Sequence, residues 1–376
     1  MRKLSGIMFD TRDHGLLTIV NDVLNRDKRQ EYNKRKFYPH LHPHGIKKLA
    51  ESRGLRIAYA VIHLLESLEA GKQDERISAL RALRDEVLNA SEGAMPRNTA
   101  RALLQIMKEL VRSQGDYYRQ LQLAHDFRIT ATGKPRVVRK QLKRYHLLEM
   151  PEEWNHLAFD DHVHDVNTKG RKSATHLIMD AWIKGIRRLR VIYYNYIQAP
   201  FAAELLEAAE IMGITMRIGI EYAACFRGRY VQLIWVPRGF IDTQAFLCFL
   251  TEEPVRALME EGRQISEYRQ QQVLQVLDAF NRCHLPVVNE TYGISLKPID
   301  PFAFLIFVKP GQTSLLHLAK FIHIQLLPEL DKKVVELRSQ CGSASSQEQG
   351  LNEALVVEMN RLDFETILGR FLSPAQ

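Results

Sequence analysis

The sequence of 376 residues predicts a mixed α/β fold, in which an all-α N-terminal region precedes a partial or altered β/α barrel. Two observations carry this prediction. Apolar residues repeat at helical spacing through the first 150 residues, with breaks at Gly93 and Pro96 and again at Gly133 and Pro135. From residue 159 onward, short runs of β-branched and aromatic residues alternate with amphipathic stretches, a pattern typical of parallel strands joined by helices.

The N-terminal region, residues 1–150, is predicted to be a basic helical bundle. Apolar stripes run through 55–65, 79–87 and 103–110. The region holds 29 Lys and Arg against 17 Asp and Glu. A helix that begins near Pro135 is expected to carry the densest cationic stripe, composed of Arg136, Arg139, Lys140, Lys143 and Arg144. Such a stripe can contact phosphates without reading bases. The alternative is a solvated face, or one that docks on the acidic C-terminal part of the chain.

The second region, residues 151–342, contains the predicted strand and helix alternation. Strands are expected near 159–165, 189–194 and 215–222, with helices at 173–184 and 200–212 between them. Parallel strands direct their C-terminal ends to one mouth of a barrel. The sequence therefore predicts that His162, His164 and Glu221 converge at that mouth.

Two imidazoles and a carboxylate are ligands that zinc, manganese and iron accept. His162 and His164 are two residues apart, so on a strand they point to the same face and can bind one ion. Asp160, Asp161 and Asp165 stand beside them as further oxygen donors. The alternative interpretation of this stretch is a solvated turn at the end of a strand.

These residues resemble the polymerase and histidinol phosphatase (PHP) superfamily of metal-dependent phosphoesterases, over about 157–330. The family opens with Asp-x-His-x-His, which matches 160–164, and continues with an Ala-x-x-x-Gly helix end, which matches Ala181 to Gly185. Its Gly-x-Glu strand matches Gly219 to Glu221. The resemblance also predicts a later strand at 304–310.

Two departures change what the resemblance implies about metal content. Tyr193, Tyr194 and Asn195 stand where the second strand of the family ends in Thr-Asp-His, and Lys309 stands where the family has an imidazole ligand. A trinuclear centre is therefore not expected. A single divalent ion of zinc, manganese or iron is implied instead, with His162, His164, Glu221 and Asp160 as its ligands.

The function that the resemblance implies is hydrolysis of a phosphoester, in a nucleotide or nucleic acid, by a metal-activated water. Asp161, Lys309 and Arg227 are the expected catalytic residues, with the two cations neutralising the developing phosphate charge. A turn between two strands is the favoured interpretation of Arg227. The alternative function is a catalytically inactive PHP-like scaffold, whose basic N-terminal domain binds nucleic acid or an acidic protein partner.

The last region, residues 343–376, is predicted to be a linker followed by a C-terminal helix. No apolar run reaches the ~18 residues that a membrane span requires. The opening residues show no signal peptide, and the four cysteines are widely spaced, so a cytoplasmic protein with reduced thiols is expected. An incomplete barrel exposes strand edges and apolar surface, which predicts a homo-oligomer or a larger assembly that covers them.

Overall fold

A computed structural model describes residues 9–24, 73–90, 94–151, 158–168, 170, 172–308, 311–340 and 346–372 of the chain. The fold is mixed α/β and mostly helical, with one curled sheet of four strands. The predicted apolar stripe at 55–65 and the predicted catalytic residue Lys309 lie outside the described residues.

Five helices precede the sheet within the described ranges: α1 Thr11–Leu24, α2 Gln73–Ala90, α3 Pro96–Arg112, α4 Tyr117–Thr130 and α5 Pro135–Arg144. Proline opens α3 and α5, where its fixed φ suits the first turn and its missing N–H is not needed. The Asp116 side chain caps α4 by accepting a hydrogen bond from the backbone N–H of Arg119, at 3.0 Å. These helices bury the stripes that the sequence predicts at 79–87 and 103–110.

The sheet and its helices follow the predicted β-α-β-α-β order: β1 Phe159–Val163, α6 Ala174–Lys184, β2 Arg188–Tyr194, α7 Ala199–Met212, β3 Thr215–Phe226 and β4 Arg229–Trp235. The strands lie in the order β1-β2-β3-β4, with the first three parallel and β4 antiparallel to β3. Gly185 and Gly213 end α6 and α7 in the left-handed conformation, at φ 89° and 64°. Local signals therefore set the boundaries of this unit.

One hydrophobic core joins the N-terminal helices to the sheet. It contains Leu83 and Phe127 from the helices together with Val191 and Ile218 from the strands. On the other face of the sheet, a Cβ at Gly219 would lie 2.7 Å from Cδ1 of Ile192. The absence of a side chain at Gly219 leaves room for the side chain of Ile192 to lie against this part of β3.

Helices and two π-helical turns form the remainder of the described chain: α8 Thr243–Thr251, α9 Glu253–Ala279 with the π-helical turn Phe280–His284, α10 Leu285–Tyr292, α11 Pro301–Val308, α12 Leu315–Gln340, α13 Ser346–Arg361, and α14 Phe364–Ile367 with the π-helical turn Leu368–Leu372. A second hydrophobic core lies among them, between Val273 and Leu372. Helix α9 contributes to both cores, through Val255 and Met259 to the first and through Val273 and Leu277 to the second.

The predicted strand at 304–310 is wrong, because residues 301–308 form α11. The Asp300 carboxylate accepts hydrogen bonds from the backbone N–H groups of Phe302 and Ala303, at 3.1 and 3.0 Å, and starts the helix. The segment 343–350, predicted as a linker from its composition, is partly helical, since α13 begins at Ser346.

Strand β4 is an edge of the sheet, and much of its apolar surface is open to solvent. Tyr230 is 85% exposed, and Val231, Leu233 and Ile234 are exposed as well. The prediction of an oligomer assumes an exposed apolar strand edge of this kind. That a partner covers this edge stays a prediction. Within the described ranges, the helices are all too short or too polar to cross a membrane.

Candidate metal centre

The structure brings together the three residues that the sequence predicts as the principal ligands. One nitrogen from each of His162 and His164 and one carboxylate oxygen from Glu221 all lie within 4.8 Å of one another. Nε2 of His162 is 3.5 Å from Oε2 of Glu221, and the two imidazole ring centroids are 5.0 Å apart. These three residues are called the His/Glu cluster below.

Parallel pairing of the strands explains why residues so distant in sequence meet. His162 lies on β1 and His164 directly follows it, while Glu221 pairs with Tyr194, the last residue of β2. Glu221 is not at the end of its own strand, because β3 continues five residues further into the hairpin with β4. The cluster therefore stands level with the C-terminal ends of β1 and β2, beside the extended part of β3.

Hydrogen bonding fixes the tautomer of His164. Its Nδ1 is 2.8 Å from the backbone carbonyl oxygen of Ile192, which can only accept, so Nδ1 carries the proton. In the neutral ring, Nε2 is then the atom with the lone pair that a metal requires. The ring stacks on Tyr194 with centroids 5.0 Å apart, which restrains its orientation. A backbone carbonyl that orients a ligating imidazole in this way is common around protein metal sites.

Glu221 presents one satisfied and one unsatisfied carboxylate oxygen. Oε1 accepts a hydrogen bond from Nε2 of Gln232, at 2.8 Å. Oε2 is buried and accepts no hydrogen bond from any residue that the structure describes. Burying a carboxylate oxygen without a donor is costly, so this atom is suited to contact with a cation. With the two imidazoles, the donor set fits one zinc, manganese or iron ion.

Gln232 is a site residue that the sequence analysis missed. It belongs to β4 and orients Glu221 from across the β3–β4 hairpin. Its role follows from the register of that hairpin, which pairs Gln232 with Ala223 and so brings its side chain toward Glu221. The only sequence signal is the Arg227-Gly228 step, which is compatible with a two-residue turn between strands.

The predicted ligand Asp160 and the predicted catalytic residue Asp161 are not in the donor group with His162, His164 and Glu221. A bulge in β1 explains the position of Asp160, which pairs with Leu189, whereas Val163, three residues on, pairs with Val191. The extra residue shifts the alternation and places Asp160 out of phase with the histidines. Asp161 lies near Arg190, with 3.7 Å between carboxylate and guanidinium.

Asp165 holds the segment that follows β1. Its carboxylate accepts hydrogen bonds from the hydroxyl of Tyr193, at 2.6 Å, and from the side-chain and backbone nitrogens of Asn167. Burial raises the pKa of Asp165, and the hydrogen bonds from Tyr193 and Asn167 oppose that rise. The residue therefore anchors the chain behind His164 and is not part of the donor group.

Arg227 lies away from the His/Glu cluster, in the turn of the β3–β4 hairpin. Its backbone adopts φ 50°, and its guanidinium carbon is 5.2 Å from the ring centroid of the exposed Phe226. The strand between Glu221 and this turn is about 20 Å long at ~3.3 Å per residue. The interpretation as a turn between two strands agrees with this position.

The cationic residues predicted on the helix at Pro135 are all exposed on α5. Arg139 pairs with Glu149 at 2.9 Å, and Arg144 pairs with Asp126. Within the described part of the chain, no carboxylate forms an ion pair with the remaining three members, Arg136, Lys140 and Lys143. Neighbouring acids therefore reduce the charge of this stripe without neutralising it.

No protein-family model matches the sequence, and no curated protein matches it.

Proposed function

We propose that the chain is a metal-dependent phosphoesterase of the PHP type, which hydrolyses a phosphoester of a nucleotide or nucleic acid with one divalent ion in the His/Glu cluster. One observation carries the proposal: ligand atoms of two imidazoles and a buried carboxylate lie within 4.8 Å of one another, level with the C-terminal ends of β1 and β2. Three such groups with the right donor atoms make a site for one ion.

The protein residues in the cluster have separate tasks. Ile192 holds His164 in the tautomer that presents Nε2, and Gln232 holds Glu221 so that Oε2 faces His162. A divalent ion supplies Lewis-acid chemistry to a phosphoryl oxygen and acidifies a water near neutral pH. Zinc, manganese and iron are all compatible with the three donors.

The residues at the end of β2 indicate that the site holds one ion rather than two or three. Tyr193 is buried and its hydroxyl donates a hydrogen bond to Asp165, while the ring of Tyr194 stacks on His164. Asn195 is buried and donates to the hydroxyl of Ser266, at 3.2 Å. These three side chains support the cluster and its surroundings, and none offers a carboxylate or imidazole for a second ion.

Metal content tests the proposal. Protein purified without chelator is analysed by mass spectrometry, as wild type, as His162→Ala/His164→Ala and as Glu221→Gln. We expect about one equivalent of metal in wild type, none in the histidine variant and much less in Glu221→Gln. A matched control, His14→Ala/His323→Ala, removes two histidines outside the cluster and should keep its metal. Wild-type protein without metal, or metal retained in His162→Ala/His164→Ala, would contradict the proposal.

Hydrolysis is then measured on p-nitrophenyl phosphate and on bis(p-nitrophenyl) phosphate, a monoester and a diester. Activity should need added or retained metal and should be lost in His162→Ala/His164→Ala. Metal that binds without hydrolysis of either ester would remove the catalytic part of the proposal and leave a metal-binding scaffold.

A second candidate is an inactive PHP-like scaffold that binds nucleic acid through α5, favoured by the exposed cations Arg136, Lys140 and Lys143. In this case Arg136→Glu/Lys140→Glu/Lys143→Glu should weaken binding of a labelled single-stranded oligonucleotide in fluorescence anisotropy. The slope of log affinity against log salt should become shallower by roughly 2, since each phosphate contact contributes about 0.7. An unchanged slope would exclude α5 as the contact surface.

A further inference from the structure

A cavity of about 310 Å³ lies directly beside the His/Glu cluster, between α9 and the N-terminal end of α12. Tyr194 is a wall of this cavity, and its ring also stacks on His164. We refer to it as the Tyr194 cavity. Tyr194 therefore contacts both the cavity and a member of the cluster.

The lining of the Tyr194 cavity is cationic. Arg269 from α9 and Lys320 from α12 both line it, and the described lining contains no carboxylate. Lys320 Nζ is 5.1 Å from the ring centroid of Phe364, a contact that leaves its charge uncompensated. Neither cation has an ion-pair partner among the residues that the structure describes. Two cationic side chains at a cavity without a counter-ion favour an anionic ligand.

Neutral donors supplement the two cations. The Ser266 oxygen accepts hydrogen bonds from Gln312, at 2.9 Å, and from Asn195, at 3.2 Å, so its own proton remains to be donated. The Thr313 hydroxyl oxygen is buried from solvent and lacks a partner among the described residues. An unsatisfied buried hydroxyl next to a cavity indicates that something polar completes its hydrogen bonding.

The orientation of α12 strengthens the same preference. Ser314 caps this helix, accepting a hydrogen bond from the backbone N–H of His317 at 3.2 Å, and the helix runs 26 residues away from the cavity. The positive end of the helix dipole therefore lies at the cavity wall. Gln312 also donates to the backbone oxygen of Tyr194, at 2.6 Å, which ties the start of α12 to the end of β2.

We infer that the Tyr194 cavity binds a second phosphate group of the substrate, so that the substrate is a phosphoester with one phosphate at the His/Glu cluster and another held by Arg269, Lys320 and the hydroxyls. The assignment to substrate rests on the proposed function, whereas anion binding by the cavity does not. Nucleotides with more than one phosphate and oligonucleotides belong to this class. A phosphomonoester without a second anionic group would use the cluster alone.

Binding of inorganic phosphate tests the cavity without any metal. Calorimetric titration is performed in chelator on wild type, on Arg269→Gln/Lys320→Gln and on a charge-matched control, Arg256→Gln/Lys332→Gln. The control removes an exposed arginine from α9 and an exposed lysine from α12 outside the cavity. We expect the dissociation constant to rise about tenfold or more in the cavity variant and to change less than about twofold in the control.

A milder variant keeps the test valid if the double substitution affects folding, which circular dichroism would reveal. Thr313→Val preserves side-chain shape and removes the unsatisfied hydroxyl, so phosphate affinity should fall about threefold or more. Absence of phosphate binding in wild type, or equal weakening in the cavity variant and the control, would overturn the inference.

The outcome is distinguishable from that of the proposed function. Glu221→Gln, which leaves the stack of Tyr194 on His164 in place, should bind phosphate in chelator as wild type does, even though it loses most of its metal. Wild-type protein that binds metal but not phosphate would contradict the proposed phosphate site and leave the phosphoesterase proposal intact. Wild-type protein that binds phosphate but not metal would contradict the phosphoesterase proposal and leave the phosphate site intact. In an active enzyme, Arg269→Gln/Lys320→Gln should raise KM for a nucleoside diphosphate about tenfold while leaving KM for p-nitrophenyl phosphate unchanged. Equal effects on both substrates would reject a second phosphate site.

Discussion

The pH dependence of stability should depend strongly on His176, a residue of α6 outside the His/Glu cluster. Burial lowers the pKa of its ring to about 4. Asp180 opposes this shift, with 3.8 Å between its carboxylate and Nε2 of the ring, whereas Lys172, Lys108 and Arg112 reinforce it. Lys108 and Lys172 both pair with Asp180, so they already occupy the only carboxylate in this group.

The sign follows from proton uptake. An unfolded histidine has a pKa near 6.5, so between pH 6.5 and about 4 the unfolded chain binds a proton that the folded protein does not. The free energy of unfolding is therefore highest above pH 6.5 and falls as the pH is lowered through this window. A difference of about 2.5 pKa units corresponds to a loss of ~3 kcal/mol, at ~1.36 kcal/mol per unit. Burial raises the pKa of Asp180, but its pairs with Lys108 and Lys172 outweigh burial and hold this pKa below 3.8, so Asp180 affects stability in a lower pH window.

Urea denaturation followed by circular dichroism at pH 7.5, 6, 5 and 4.5 measures this loss. His176→Gln should lose ~2–3 kcal/mol less than wild type across the range. Part of the slope should remain, since burial also lowers the pKa of His317. A control, His14→Gln, replaces an exposed histidine and should follow wild type. Identical slopes for wild type and His176→Gln would refute the reasoning.

Three further substitutions test the packing that positions the site. Glu204→Gln should lower the free energy of unfolding in urea by about 3 kcal/mol, because the buried carboxylate accepts hydrogen bonds from Arg76 through both oxygens. The control Glu207→Gln breaks an exposed ion pair and should cost under ~1 kcal/mol. Equal losses of stability in the two variants would contradict this prediction. Gly219→Ala should cost about 1–3 kcal/mol by the same assay, because the new Cβ would lie 2.7 Å from a buried side chain, and a neutral effect would show that the sheet can yield. Arg227→Asn should raise the free energy of unfolding by ~0.5–1 kcal/mol in calorimetry, since asparagine tolerates φ 50° better than arginine. The variant should keep its phosphoester hydrolysis. Reduced hydrolysis at unchanged stability would instead support a catalytic role for Arg227.

The order of strands and helices around the site was predictable from local signals. Amphipathic spacing marks α6 and α7, and Gly185 and Gly213 mark their ends. Once three parallel strands are assumed, His162, His164 and Glu221 must approach one another, as they do. The sequence therefore contained enough information to predict the cluster, because strand pairing alone brings its members together.

The apolar run in α11 shows where sequence periodicity is insufficient. Phe302 to Val308 is apolar at every position, so neither helical nor strand spacing can be distinguished within it. The residues that favour a helix over a strand stand just before the apolar run. Asp300 caps the helix, and Pro301 occupies its first turn. The family resemblance favoured a strand and concealed that cap.

The roles of Asp160 and Gln232 required three-dimensional registers. A bulge adds one residue to β1 and turns Asp160 away from the histidines, and no residue type in that stretch signals the insertion. Gln232 reaches Glu221 only because the hairpin pairs β3 with β4 in one particular register. Both features depend on long-range pairing, which alternation within a single strand does not determine.

The close contact of α9 with the end of β2 has a consequence for cooperativity. A Cβ at Gly262 would lie 2.1 Å from the backbone oxygen of Asn195, so the helix backbone presses directly against the chain that follows Tyr194. The helix is about 40 Å long, at 1.5 Å per residue, and supplies side chains to both hydrophobic cores. Because one helix is shared by the two cores, we expect loss of the second core to destabilise the helix that supports the first, and so to couple the unfolding of the two.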